Sequence, residues 1–525
     1  MNTRHQIITS YIIKILIVIL IMIISSFLYF RIDLSKSKSY TLSKATKEAL
    51  HTLRDKVVVK VFASQDLPQE MSTINRSLKD MLEEFARNSH NKFSFEYVRA
   101  NNNKELIEQA RDYDIPAYSF TAYEDEKLVT KQVVFGLYLE SAGKSSSMYL
   151  RPGMEQMMEY QLLKQINKLH PDNLPELTVF MDSLSMVHQY TNYSDALATF
   201  FLELMDNYRI TYTDLTTRPK HTPVMLCLGT IDTLSTKQLY HLDQYLMQNG
   251  KIVMTQDRAL MFLSERGSGL ALLDGPLFRL LEHYGINIEP NIVLDMECEY
   301  GRGSGLGTVV PYPFIPRLHP NPKFPYTAGF PVITMNIASE INPVPDSKIK
   351  FEKVLQTSNH SNVLIGPDFR VDVAVQRGLD PGYLSQPPKT VAAEISGTFR
   401  SYFTKALDDS TFFNSTDKAK IILFGDSEFP LEFSAGAFIV LNAIDYLLGR
   451  EDMVKIRSPR DVYNELSAEV YMQKHEMQPA EPEKTISILN RYFRLTAIFL
   501  PVLLLALFGI IQASRYTAKV KYEEK

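Results

Sequence analysis

The hydrophobic pattern of this chain changes period along its length, and each change marks a structural element. Apolar residues run without a charge from Ile15 to Phe30 and, across Lys14, reach back to Ile7. A second run covers Leu495 to Ile511, interrupted only by Pro501. A bilayer-spanning helix needs roughly 20 apolar residues, and both runs reach that length with their flanks, so each is expected to cross a membrane. Between them the pattern is that of a soluble protein. Ser43 caps a predicted helix over 45–53. The β-branched stretch Val57–Phe62 predicts a strand. Ile74, Leu78, Met81, Leu82 and Phe85 fall on one helical face. Phe93–Val98 predicts a strand, Lys104–Arg111 a helix, and strands follow near Tyr118, at 132–139 and at 146–150, before a helix over 154–169. The order β-α-β-α-β-β-α is that of a thioredoxin-like domain, with Ile115-Pro116 at its proline turn. No Cys-x-x-Cys occurs, so such a domain binds or scaffolds and does no thiol chemistry.

His170-Pro171-Asp172-Asn173-Leu174-Pro175 breaks the pattern and predicts a domain boundary. Beyond it strands and helices alternate. Strands are expected at 177–181, 224–228, 251–255, 351–356, 390–394 and 420–425, and helices at 195–208, 236–249 and 276–284. A further helix, over 436–448, is apolar nearly all round and ends at Gly449. Alternation at this spacing predicts a mostly parallel sheet covered by helices on both faces. Residues 300–350, rich in glycine and proline, read as a long loop or insertion. The domain plan is therefore a cytoplasmic N-terminus and first membrane helix in 1–31, an α/β domain in 32–170 and a larger α/β domain in 171–465. A linker in 466–490, a second membrane helix in 491–514 and a cytoplasmic tail in 515–525 complete it.

Arg515, Lys519, Lys521 and Lys525 follow the second apolar run and favour the cytoplasmic side. With two crossings, residues from about 32 to 490 then lie outside. The first run is longer than a signal-peptide core and lacks an A-x-A cleavage pattern, so it reads as a retained anchor. The net charge of −4 brings no basic tract of the kind that binds nucleic acid. Cys227 and Cys298 are the only cysteines, too few for a Cys-based zinc site. Cys227 reads as a small core residue, and whether the two pair is open at this level.

Three near-motifs point toward enzymes and fall short. Ala142-Gly143-Lys144-Ser145 resembles the end of a phosphate-binding loop, but Tyr138 stands where its first glycine is needed, and a hairpin turn is expected. Gly301, Gly303, Gly305 and Gly307 follow a strand over 291–295, but Leu306 occupies the third fingerprint position. Ile421 to Ser427 resembles the opening of a GDSL-type hydrolase with Ser427 as nucleophile. Met472 stands three residues before His475, the only later histidine, so the base is missing where that family keeps it. No catalytic, cofactor-binding or metal-ligating residue is expected, nor any cofactor.

Arg31 to Leu34 with Tyr40 to Ser43, Met158 to Leu162, Leu277 to Asp295 and Phe438 to Ser458 together resemble the gliding-motility-associated ABC transporter component GldG family. The resemblance implies a non-catalytic, substrate-binding-like auxiliary subunit of an ABC-2-type transporter in a bacterial inner membrane. Its large domain would be periplasmic, and its partners a separate permease and a separate ATPase, with envelope or secretion components nearby. It also implies that the larger domain is similar to an amidotransferase-like (flavodoxin-like) or intraflagellar-transport-type domain, without a catalytic cysteine at a nucleophile elbow. Two rival readings remain: a membrane-anchored hydrolase using Ser427, and an envelope scaffold without a transporter. Lys14 and Pro501 are candidate permease contacts.

Overall fold

The computed structural model describes residues 41–124, 127–151, 154–181, 194–229, 233–264, 267–302, 309–365, 382–408, 411–431 and 435–458, with 491–492, 495–496 and 499 in a separate helical stretch. The chain divides into two compact units, Met1–Pro459 and Arg460–Lys525, and every element below belongs to the first. Among the described residues no helix is long and apolar enough to cross a membrane. The apolar runs at 7–30 and 495–511 lie outside them, apart from Leu495, Thr496 and Phe499.

The N-terminal part begins with helix α1 (Lys44–His51), whose cap Ser43 accepts from the Thr46 amide. Strand β1 (Val57–Ala63), helix α2 (Gln69–Arg87), strand β2 (Phe93–Tyr97) and helix α3 (Asn103–Arg111) follow. A hairpin, β3 (Tyr118–Glu124) with β4 (Lys127–Val133), precedes β5 (Phe135–Ser141), β6 (Lys144–Tyr149) and helix α4 (Met158–Leu169). The sheet runs β2-β1-β5-β6, with β1 parallel to β2 and the β5–β6 pair antiparallel. The single strand expected over 132–139 is broken at Val134, whose amide donates to Ser64 Oγ while its carbonyl accepts from Ser64. Val134 thereby leaves the ladder between β4 and β5. One face of the sheet is closed by α2 through Ile74, Leu78, Leu82 and Phe85, all buried. Gly143 sits in the β5–β6 turn with φ +76°, next to Ala142 at φ +49°. This is the hairpin geometry in which two successive residues take positive φ.

The larger part contains β7 (Glu176–Met181), α5 (Ser194–Asn207), β8 (Arg209–Thr213), β9 (Val224–Leu228), α6 (Thr236–Met247) and β10 (Lys251–Thr255). Next come β11 (Ala259–Ser264), β12 (Gly267–Leu272), α7 (Pro276–His283), β13 (Ile286–Ile288), β14 (Asn291–Asp295), β15 (Cys298–Arg302), β16 (Val309–Pro316) and β17 (His319–Pro320). The remainder is β18 (Ile341–Pro343), β19 (Lys350–Gln356), β20 (Ser361–Ile365), β21 (Thr390–Ser396), β22 (Phe399–Arg400), β23 (Ser415–Thr416), β24 (Lys420–Phe424), α8 (Gly436–Leu447) and α9 (Glu451–Arg457). The central sheet is eight-stranded, β17-β19-β21-β24-β10-β9-β7-β8. Its run from β8 to β24 is parallel, and β21, β19 and β17 add antiparallel strands at one edge.

Buried apolar residues cover both faces of this sheet, α8 with α5 on one and α6 with α7 on the other. Strands β9 and β14 are buried throughout; β9 is the continuous apolar run expected of a central parallel strand, while β14 carries Asn291 and Asp295 at its ends. Residues 300–350 are not one loop. They carry the β15–β16 hairpin and β17, and their β18 pairs with β13, because the many prolines occupy short, edge-like strands that tolerate a missing donor. Both cysteines are free and buried. Burial pushes both thiols up, well away from thiolate reactivity.

Candidate functional site

In an open α/β sheet, ligands bind beyond the carboxyl ends of the parallel strands, so that edge is where chemistry is sought. In chain order the parallel strands read 2-1-3-4-5, and their order reverses between β7 and β9. Residues 182–193 and 230–232, which follow those two strands, lie outside the described residues. The described part of the edge is made by β10 and β24, which run side by side with Thr255 opposite Phe424. The Gln256 amide still donates to the Phe424 carbonyl at 2.9 Å, so the two chains leave the sheet together. Two residues past each strand end stands an aspartate, Asp257 after one and Asp426 after the other.

These aspartates hold the edge closed. Asp257 Oδ1 accepts from the Ser427 amide at 3.1 Å, and Asp257 Oδ2 accepts from the Ser427 hydroxyl. Asp426 Oδ2 accepts from the Asn336 amide at 3.0 Å, and its Oδ1 accepts from the Glu428 amide at 2.8 Å. Glu428 Oε2 lies 3.1 Å from Ser427 Oγ. Asp257, Asp426 and Glu428 each present a carboxylate oxygen within 4.8 Å of the others. Asp257 and Asp426 are buried, and both offer their oxygens to backbone amides, an arrangement that satisfies buried charge by fixed donors. Gly425 lets the strand turn into this site. A Cβ there would lie 2.4 Å from the Ser339 carbonyl oxygen; the Ser339 amide donates to the Gly425 carbonyl, and the Gly425 amide donates to the Val391 carbonyl.

Ser427, the one nucleophile the sequence offers, is wholly buried. Its hydroxyl donates to a carboxylate, and among the described residues no histidine contacts it. A nucleophile needs both a base and an open approach, and this serine has no approach. His475 lies outside the described residues. The glycine run splits, with Gly301 in β15 and Gly303, Gly305 and Gly307 outside the described residues. Asp257 and Asp426 did not stand out in the sequence. The available signal was two buried strands, Lys251–Thr255 and Lys420–Phe424, each followed at the same offset by an aspartate.

Comparison with known families adds what this geometry cannot. Residues 172–432 match a family model described as an ABC-type uncharacterized transport system. This supports the ABC transporter auxiliary family. Residues 36–140 match a second model, a domain of unknown function. An uncharacterized protein of Borreliella burgdorferi is 21% identical over 527 residues, covering 98% of this chain and 99% of its own. Among solved structures, the mmIFT52 N-terminal domain is 15% identical with a TM-score of 0.29, covering 51% of this chain and 96% of that one. A ThuA-like protein from Bacteroides uniformis is 12% identical with a TM-score of 0.27, covering 52% and 92%.

Proposed function

We propose that the chain is a non-catalytic auxiliary subunit of an ABC-2-type transporter, anchored in the bacterial inner membrane by the apolar runs at 7–30 and 495–511. Its α/β domains then work on the periplasmic side, beside a separate permease and a separate ATPase. The observation that carries this reading is the transport-system family match over 172–432. The burial of Ser427 against Asp257 supports the non-catalytic part. The four-stranded sheet of the N-terminal part, with a parallel β1–β2 pair beside an antiparallel β5–β6 hairpin, supports a thioredoxin-like scaffold without redox cysteines. The resemblance to the gliding-motility component extends the reading to motility and its secretion apparatus.

The test is purification of the tagged full-length protein from native membranes in mild detergent, with mass spectrometry of what accompanies it. A polytopic permease and a P-loop ATPase in near-stoichiometric amounts are the expected result. Envelope components without either would turn the reading into a scaffold. Loss of function in a folded Ser427→Ala variant would revive the hydrolase.

A further inference from the structure

The two edges of the large sheet are unlike. β17, at one edge, is two residues long and contains Pro320, which has no amide hydrogen to offer. β8, at the other, runs five residues without proline, and its register against β7 is unbroken. The Arg209 amide donates to the Pro175 carbonyl on the β7 side at 2.8 Å. Backbone groups alternate in direction along a strand, so Thr211 and Thr213 also face β7, and the N–H and C=O groups of Ile210 and Tyr212 point outward. Among the described residues no other strand joins β8. An open edge of this kind is a template for pairing with another chain.

The side chains beside this edge are apolar. The Tyr212 ring lies 6.2 Å from that of Phe201 on α5, and Ile210 packs against the same core as Phe201. Leu202 and Met205, next along α5, are 58% and 49% exposed, and Tyr212 is 60% exposed. Helix and strand therefore present one apolar patch next to unpaired backbone. Charge is divided between the strand's ends. At its start Arg209 and Lys220 both face Glu176, at 2.6 and 2.7 Å, which leaves a positive charge in excess. Asp214, just past its other end, accepts from Thr216 and has no ion-pair partner among the described residues.

We propose that β8 pairs antiparallel with β8 of a second copy of this chain, about a two-fold axis at Thr211. Ile210 of each copy then stands opposite Tyr212 of the other, and their outward amides and carbonyls satisfy one another. The axis falls on the Thr211 pair, which exchanges no bonds. The same operation sets the two apolar patches side by side on one face of a continuous sheet. It also brings the positive end of each strand to the acidic end of the other, the self-complementarity that a two-fold interface requires. This inference goes beyond the transporter reading and does not depend on it.

Light scattering of the full-length protein in mild detergent, corrected for bound detergent, tests it together with cysteine cross-linking. A mass of two chains is expected. Opposed Cα atoms in a non-bonded antiparallel pair lie about 4.5 Å apart, within the roughly 4.4–6.8 Å that a disulfide spans. Thr211→Cys should therefore form an intermolecular disulfide on mild oxidation. Thr213→Cys, whose two copies the same axis leaves about 13 Å apart, should not. Cys227 and Cys298 are buried, and the parent chain serves as their control. Leu202→Lys/Met205→Lys, at exposed helix positions, should weaken association at least tenfold with an unchanged circular dichroism spectrum. A monomer, equal cross-linking at 211 and 213, or a dimer indifferent to the two lysines overturns the proposal. A monomer whose Ile210 and Tyr212 amides resist hydrogen exchange overturns it in favour of another segment of this chain along the edge.

Discussion

Arg457 is a charged side chain with no exposure at all, and it crosses the boundary between the two sheets' territories. Its Nη2 lies 2.7 Å from Asp445 Oδ2, a Coulombic contact without hydrogen-bond alignment, because that oxygen accepts no aligned donor. Its aligned hydrogen bonds go to Asn442 Oδ1 and Asn207 Oδ1, both at 3.1 Å. The guanidinium also stacks 4.9 Å from the centre of the Tyr160 ring. Burial opposes the charge, but Asp445 and the two tyrosines Tyr160 and Tyr208 outweigh it and push the pKa up. Arg457→Met leaves Asp445 charged, buried and held only by Arg450, so a loss of about 3–5 kcal/mol is expected. The double variant Arg457→Met/Asp445→Leu should recover much of it, and thermal melting of both variants checks the pair. The same logic ranks the sheet edge: Asp257→Ala removes the acceptor of the buried Ser427 amide along with one acceptor of its hydroxyl, whereas Ser427→Ala keeps the amide bond to Asp257. Asp257→Ala should therefore lower the melting temperature more than Ser427→Ala.

At the level of elements, the glycine that ends β24 limits what the edge can accept. Gly425→Ala sets a methyl against the Ser339 and Val391 carbonyl oxygens, at 2.4 and 3.2 Å. These are backbone atoms, which cannot swing aside. Overpacking of this kind costs about 1–3 kcal/mol, and urea titration should show it as an earlier midpoint. Most of these elements were legible in the sequence. Ser43 and Gly449 marked helix ends where the structure has a cap or a positive φ. The apolar runs 224–228 and 421–424 became buried parallel strands because their patterns leave no polar face. What was not legible depended on partners far along the chain. The antiparallel edge of the large sheet joins β21 to β24 and to β19, and local pattern cannot give strand direction. The pairing of Asp257 with Ser427 spans 170 residues. Residues 300–350 looked structureless because proline and glycine hide short strands whose ladder partners lie elsewhere.

Across the whole compact unit, two histidines set a pH dependence. Burial lowers the pKa of both His170 and His221. The unfolded chain then takes up protons first, near the ordinary value of about 6.5, while the folded form resists. Stability from these sites is complete above that value and falls as pH drops through it toward the lowered folded values. The melting temperature is expected to fall between pH 7.5 and 5.5, and His221→Phe, which keeps a ring against Tyr245, should reduce the fall.

Tyr160 and Leu163 of α4 pack with Met453 and Ile456 of α9 and with Ala45 and Ala49 of α1. The first and last described helices of the unit therefore rest on the same middle helix. A pull applied to residues 41 and 458 in opposite directions meets three helices held side by side, with the Ser43 amide bonded to Glu159 at 2.7 Å. Force entering at those two ends is met first by this three-helix contact and the Ser43–Glu159 bond, ahead of the strands.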